Sequence, residues 1–352
     1  MILDSVLGLF SKDLGIDLGT ANTVVCARGE GIIISEPSVV AVRIGTNQVW
    51  MDGEAVGERA RQMLGKTPGS IQAVRPLKNG VIANSEMTEA MLGYFIRKAN
   101  GNRRFFPPRS RIVIAVPSGI SQVEKRAVVN AAEKVGARDV HLIKEPMAAA
   151  IGVGLPVNEP RGSMIVDIGG GTSEIAVISL MDIVQSTSLK IAGDELNMAI
   201  TDYIKKKHEL QIGEQTAEQV KIMIGSAYPL EEEIAYEVRG RDCQNGMPRS
   251  ISVRSEEIRE ALRQPLSEIL KAIKNTLDKT PPELHTDLVE SGITLAGGGA
   301  LLRGIDRLIA RETGLPVRRA EDPLTAVARG TGQVIDHIDS YWNVLENGQE
   351  VA

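Results

Sequence analysis

The chain has 352 residues, of which 43% are hydrophobic and 24% charged, and its formal net charge is −5. That length suits two domains and buries roughly three quarters of the unfolded surface, so a core needs neither disulfides nor a structural metal. The composition excludes a disordered chain, the charge offers no footprint for nucleic acid, and Cys26 and Cys243 alone make no disulfide framework, which suits a reducing cytosol.

The first predicted element is terminal. At ~100° per residue, Ile2, Leu3, Val6, Leu7, Leu9 and Phe10 fall within an arc of roughly 160°, as in a short amphipathic helix. No signal-peptide pattern precedes it, and no apolar run reaches the ~18 residues of a membrane span. Short apolar runs ending in turn signals then alternate with amphipathic stretches, which predicts an α/β protein. Strands are expected over 14–17, 23–27, 32–35 and 39–43, a helix over 85–98, a strand over 112–116 and a helix over 121–135. Strands follow over 140–143, 164–167 and 174–178, then helices over 194–208, 216–225 and 255–278. A strand over 293–296 and helices over 301–312 and 324–337 complete the order, the last opened by the N-cap pair Asp322-Pro323.

One pattern recurs 150 residues apart. Leu14-Gly-Ile-Asp17-Leu-Gly19-Thr20 before Thr23-Val-Val25 is echoed by Ile165-Val-Asp167-Ile-Gly169-Gly170-Gly171-Thr172 before Glu174-Ile-Ala-Val177. Each is a strand, an acid, a glycine turn, a threonine and a second strand. A duplicated α/β domain follows, with two glycine hairpins expected to face each other across a cleft.

Such a turn exposes backbone N–H groups that bind phosphate oxygens, and Thr20 or Thr172 can donate as well. An acid beside phosphate needs a cation, so Asp17 and Asp167 imply Mg²⁺, held through water. A third cluster, Gly297-Gly298-Gly299-Ala300, follows a strand and is expected to open a helix, itself an anion site. Other chemistries fail on spacing. Position 60 of a P-loop ending at Gly65-Lys66-Thr67 is Ala60, no complete G-x-G-x-x-G or G-x-S-x-G occurs, and the four histidines sit at no metal-ligand spacing.

These three motifs resemble the two phosphate motifs and the adenosine motif of the actin superfamily. Glu36-Pro-Ser-Val-Val-Ala41, Glu145-Pro-Met-Ala-Ala-Ala-Ile151 and Thr280-Pro-Pro-Glu-Leu284 narrow the resemblance to the MreB family of bacterial actins, from about residue 12 to about 338. The resemblance implies an actin-like fold of two lobes, each an RNase-H-like core with a smaller inserted subdomain. The first core would comprise 12–32, 77–150 and 323–342 with 33–76 inserted, and the second 151–185 and 251–322 with 186–250 inserted, between a terminal segment 1–11 and a tail 343–352. It also implies an ATPase that polymerises on the inner face of the cytoplasmic membrane, engages cell-wall elongation proteins and sets rod shape. Asp17, Gly19, Thr20, Ala21 and Asn22 would hold the β- and γ-phosphates of ATP, with Asp167 and Gly169–Thr172 closing from the other side. Glu145 would orient or activate the attacking water beside Thr172. Glu214, Thr216, Ala217, Glu218 and Lys221 would contact the ribose and adenine, with Gly297–Ala300 against the nucleoside.

Taken without the family, Glu145 before a proline reads as a solvated strand-end charge, and Glu218 with Lys221 as an exposed ion pair. The phosphate motifs are shared with metabolite kinases and chaperone ATPases, so a metabolite kinase is the alternative. A second membrane signal accompanies the terminal helix: Phe105 and Phe106 lie in a proline-terminated loop flanked by Arg103, Arg104, Arg109 and Arg111, which suits insertion beside anionic headgroups.

Overall fold

A computed structural model describes residues 12–46, 48–51, 53–101 and 110–348. The expected membrane residues Ile2, Leu3, Val6, Leu7, Leu9, Phe10, Phe105 and Phe106 lie outside the described residues. The described residues form two compact units, one of those up to Pro160 with Ile178–Ile183 and those from Leu324, the other of Arg161–Val177 and Val184–Pro323.

The first unit opens with β1 (Leu14–Leu18), β2 (Asn22–Ala27) and β3 (Gly31–Pro37), an antiparallel meander. Two small pairs follow: β4 (Val40–Arg43), which after the short α1 (Glu58–Arg61) pairs with β5 (Ile71–Val74), and β6 (Leu77–Lys78) with β7 (Val81–Ile82). Asn79 and Gly80 join the second pair with φ of 52° and 74°, the two left-handed residues that a tight hairpin turn requires. Next come α2 (Ser85–Ala99), capped by the Asn84 side chain, β8 (Arg111–Val116), α3 (Gln122–Lys134), β9 (Asp139–Lys144) and α4 (Glu145–Gly152). A capping box of Ser121 and Glu124 starts α3.

The second unit contains β10 (Ser163–Ile168), most of β11 (Ser173–Ser179) and of β12 (Asp182–Leu189), α5 (Gly193–His208), β13 (Leu210–Gln211), α6 (Glu214–Ile224), β14 (Ala235–Asp242) and β15 (Pro248–Arg254). It continues through α7 (Ser255–Asp278), α8 (Pro282–Ser291), β16 (Ile293–Ala296), α9 (Ile305–Thr313) and β17 (Val317–Arg319). The chain then returns to the first unit as α10 (Ala326–Asp336) and β18 (Glu346–Asn347).

The first unit's main sheet has the order β18-β9-β8-β1-β2-β3, with β1, β8 and β9 parallel. Leu14, Ile16, Ile112, Ile114 and Leu142 on one face pack with Met91, Leu92, Phe95 and Val128 of α2 and α3. On the opposite face lies α10, against β1, β2, β8 and α4. This packing is backbone to backbone. A Cβ added at Gly330 would stand 1.8 Å from the Ala148 carbonyl oxygen, and one at Gly152 would stand 1.9 Å from that of Ala326. A Cβ at Gly15 would meet Thr331 at 2.7 Å. Arg329 donates to the Gly152 carbonyl through both Nε and Nη2, which ties down the last turn of α4.

The second unit's main sheet has the order β12-β11-β10-β16-β17, with β10, β16 and β17 parallel. Its core joins Val166 and Leu295 of the sheet to Ile200 of α5, Val220 of α6, and Ile258, Leu262 and Ile269 of α7. A separate three-stranded sheet, β13-β14-β15, stands beside it.

All nine strands expected from the sequence are present, with ends that differ by at most two residues. The helix expected from 301 starts at Ile305 instead. Gly298–Leu301 is a 3₁₀ turn and Gly304 adopts a left-handed φ of 70°, so the third glycine cluster opens a tight turn and not the helix proper. Helix α4 has no sequence signal because Glu145–Gly152 is buried on every side and shows no polar face. The β14–β15 hairpin is missed for the opposite reason: it is mostly exposed, and only Val238, Asp242 and Val253 are buried, with Tyr236 and Ile251 partly buried against the core.

The glycine contacts give a test. Gly330→Ala places a methyl where a carbonyl already sits and should destabilise the protein by at least ~2 kcal/mol in urea unfolding, despite alanine's better helix propensity. Gly69→Ala, with nothing within 4 Å of the new methyl, should stay within about 0.5 kcal/mol.

Candidate functional site

In the first unit the parallel register aligns Asp17 with Ala115 and Ile143, so β1, β8 and β9 end on one carboxyl edge. Asp17 closes one end of this row. Glu145, the residue after β9 and the first of α4, closes the other, two strands and about 10 Å across. Glu145 is only 9% exposed. A solvated strand-end charge is therefore not what it is.

Between Asp17 and β2, residues 19–22 turn tightly. A Cβ at Gly19 would lie 2.7 Å from the Asn22 carbonyl oxygen. Ser38, fully buried after β3, holds the turn from behind: its hydroxyl donates to the Gly19 carbonyl at 2.6 Å and its N–H to the Ala21 carbonyl at 2.9 Å. Thr23 Oγ1 supports that hydroxyl at 2.8 Å. A trans peptide points its C=O and N–H in opposite directions, so both bonds turn the Thr20 and Asn22 N–H groups away from Ser38. The Gly80 N–H donates to Thr20 Oγ1 at 3.0 Å, which leaves the Thr20 proton for another acceptor. Ala21 is partly exposed and Asn22 exposed.

Burial pushes the Asp17 pKa up from 3.8 to about 7. No hydrogen bond or ion pair from the described residues relieves it. Burial, then Asp17 and Asp336, push the Cys26 thiol up to about 12, and its Sγ donates to the Ala328 carbonyl at 3.0 Å. Cys26 is a packed thiol, not a nucleophile.

In the second unit Asp167, 6% exposed, aligns with Ala296 at the carboxyl edge of β10 and β16. The turn after it is closed by the Gly169 N–H donating to the Thr172 carbonyl at 2.9 Å. The first residues of α5 dock onto that turn, Gly193 N–H on the Gly169 carbonyl at 3.1 Å and Asp194 N–H on that of Gly170 at 2.8 Å. Lys221 Nζ donates to the Gly193 carbonyl at 3.0 Å, which links α6 to the same turn. The third cluster lies against it. A Cβ at Gly297 would be 2.2 Å from Asp167 Oδ1, and one at Gly299 2.2 Å from Ile168 Cγ2. Asp167, Gly169–Thr172, Gly297–Gly299 and Lys221 therefore belong to one neighbourhood.

The remaining expected residues divide. Glu214 is exposed, and Thr216 and Glu218 are partly exposed on α6. Ala217 and Ala300 are 0% and 2% exposed, so their methyl groups pack into the unit's core. Three supporting residues escaped the sequence reading: Ser38, Gly80 and Gly193. Asn79-Gly80 is a hairpin signal that could have been read, whereas the partners of Ser38 and Gly193 are set only by folding.

Residues 11–343 match the family described as MreB/Mbl protein. The chain is 52% identical over 340 residues to the cell shape-determining protein MreB of Escherichia coli strain K12, covering 97% of this chain and 98% of that protein. It is 49% identical over 331 residues to the cell shape-determining protein Mbl of Bacillus subtilis strain 168, covering 94% and 98%. Among solved structures, MreB5 of Spiroplasma citri bound to ADP superposes with a TM-score of 0.88 at 37% identity, covering 95% of this chain and 98% of that one. The same protein bound to AMPPNP gives the same values. A MamK double helical filament, 24% identical with a TM-score of 0.77, shares the fold. The chain has an actin-like fold and belongs to the MreB/Mbl family.

Proposed function

We propose that this protein binds ATP with Mg²⁺, hydrolyses it slowly, and polymerises into filaments on the inner face of the cytoplasmic membrane, where it organises cell-wall synthesis and rod shape. The observation that carries this reading is the acid and glycine turn at the carboxyl edge of each unit's sheet, in a family whose Spiroplasma citri member was solved with ADP and with AMPPNP.

The chain's own groups suggest how binding works. The Thr20 and Asn22 N–H groups, turned outward by Ser38, and the Thr20 hydroxyl donate to phosphate oxygens. The Gly169–Thr172 turn does the same for its unit, while the exposed part of α6 and Gly297–Gly299 meet the nucleoside. Asp17 fits a cation because it is enclosed and unpaired among the described residues, a state that a nearby positive charge relieves. No three metal-ligating side chains group together among the described residues, and Mg²⁺ commonly keeps most of its waters and uses one or two carboxylates, for which Asp17 is the first unit's candidate and Asp167 the second unit's. When bound, the ion neutralises charge on the phosphates. Glu145 orients the attacking water and accepts its proton. Glu145→Ala should leave ATP bound and slow single-turnover phosphate release at least ~10²-fold. Asp167→Ala should instead weaken Mg²⁺·ATP binding, and an unchanged rate in the first variant removes Glu145 from the mechanism.

Asp17 also sets a pH dependence. Its folded pKa lies above its unfolded value, so between about 3.8 and about 7 the folded state holds a proton that the unfolded state has lost. Stability of the nucleotide-free, Mg²⁺-free protein should therefore be fullest below that window and fall as pH rises through it. Asp17 keeps some exposure, so the fall is smaller than complete desolvation implies. Denaturant midpoints from pH 4 to 8 should show the fall, and Asp17→Asn should flatten it.

Assembly and attachment can be tested together. No helix of the described residues is long and apolar enough to cross a membrane. The apolar pattern of residues 2–10 and the Phe105-Phe106 pair among arginines support attachment through these two segments. Each binds weakly, and a filament multiplies them through effective concentration. With ATP or AMPPNP the protein should pellet as filaments visible by electron microscopy and co-sediment with anionic liposomes. Deleting residues 1–11 and changing Phe105 and Phe106 to Ser should abolish the second behaviour and spare ATP turnover. A protein that stays monomeric and phosphorylates a small metabolite would be a kinase of the same superfamily.

A further inference from the structure

The amino edge of the first unit's main sheet, opposite the edge carrying Asp17 and Glu145, holds a cavity of about 280 Å³. It lies where β8 and β9 begin, between the end of α3, the segment after α10 and the edge strand β18. That volume is near the ~300 Å³ lower end of small-molecule sites, enough for a compact polar group with a short alkyl stem. None of the residues placed in the nucleotide site lines it.

Its wall contains an unmet hydrogen-bonding group. His141, on β9, is 6% exposed, and its Nδ1 is buried without a partner among the described residues. A buried nitrogen left unpaired is unfavourable for folding, so one that persists in a cavity wall points to a ligand or an ordered water. Burial, then the Arg111 charge, lower the His141 pKa, so the ring is neutral at neutral pH and Nδ1 can accept a proton donor. The Trp342 ring meets His141 edge-on at 5.2 Å between centroids and is itself 52% exposed, leaving much of the indole uncovered.

The charges around the cavity are unequal. Arg138 and Arg111 both approach one carboxylate, Asp139, at 2.9 and 3.7 Å. Asp339 and Glu133 line the cavity and form no ion pair among the described residues. Three acids against two arginines give the lining one net negative charge. An indole face, two unpaired carboxylates and a neutral imidazole acceptor have one common complement, a cation that donates hydrogen bonds.

We propose that this cavity is a second binding site, for a guanidinium or alkylammonium group, contributed by a small polyamine or by an arginine or lysine side chain. The cation lies against Trp342, donates to Asp339 and Glu133 at the rim, and reaches His141 Nδ1 at the base. The site is independent of nucleotide chemistry, and its occupancy does not require Glu145 or the glycine turns.

The two tryptophans make the test direct. In a Trp50→Phe background Trp342 is the sole indole, and its fluorescence reports the cavity. Titration with agmatine, spermidine and Nα-acetyl-arginine amide, at fixed ionic strength, should give a saturable change with at least one probe, while N-acetyl-glutamate gives none. The pattern among the three separates guanidinium from ammonium and a side chain from a free amine. Asp339→Asn, an exposed substitution that spares the fold, should weaken binding at least ~10-fold, and His141→Phe should do the same with the thermal midpoint as a folding control. A flat titration with every cation leaves only an ordered water at His141 and overturns the proposal. Equal responses to cations and N-acetyl-glutamate, or affinity untouched by Asp339→Asn, overturn it as well.

Discussion

The position of Glu145 in the first unit depends on a helix of eight residues with almost no independent stability. An isolated helix of that length does not persist in water, yet α4 must hold Glu145 at its first position. What holds it is α10, crossing close enough that Gly330 and Ala148, and Gly152 and Ala326, approach backbone to backbone. Side chains larger than hydrogen at either glycine would separate the helices. Arg329 then binds the Gly152 carbonyl, so the end of α4 remote from Glu145 is tied by charge-assisted bonds while the near end follows directly from β9. Residues from the far end of the chain thus position an acid near its middle.

The same economy governs the turns. Backbone N–H groups bind anions only when their peptide planes face the right way, and a glycine turn alone leaves those planes free to rotate. In the first unit Ser38 supplies the restraint by pinning two carbonyls. In the second, the start of α5 and Lys221 take that place by bonding to the turn and to Gly193. The two turns resemble each other in sequence, but each is stabilised by different neighbours, a hydroxyl in one case and a helix N-terminus in the other.

Burial of Asp17 shows the opposing pressure. A carboxylate enclosed with no counter-charge among the described residues is unfavourable for folding at neutral pH, and it remains in the structure beside a turn of outward N–H groups. The strand register forces this position, because Asp17 is the last residue of β1 aligned with β8. At the other end of these strands the sheet again encloses an unpaired polar group, His141, within reach of unpaired acids.

Much was legible in the residues alone. The nine strands, the repeated acid–glycine–threonine pattern and the family resemblance come from local signals: apolar runs that must be buried, glycines that a tight turn demands, and an acid at a fixed offset. Local signals of that kind survive in any reading of the sequence because they concern neighbours along the chain. Helix α4 did not, because a segment buried on all sides has no amphipathic period, and the β14–β15 hairpin did not, because a strand with few inward residues has no apolar run. Ala217 and Ala300 stand out by their place in a motif, and only folding shows that their methyl groups pack into the core. Ser38 against Gly19, Gly80 against Thr20, α10 against α4, and the cavity around His141 were decided only by tertiary structure. Each joins residues distant in the chain, and which hydrogen-bond donor meets which carbonyl is settled when the sheet register and helix crossings bring them together.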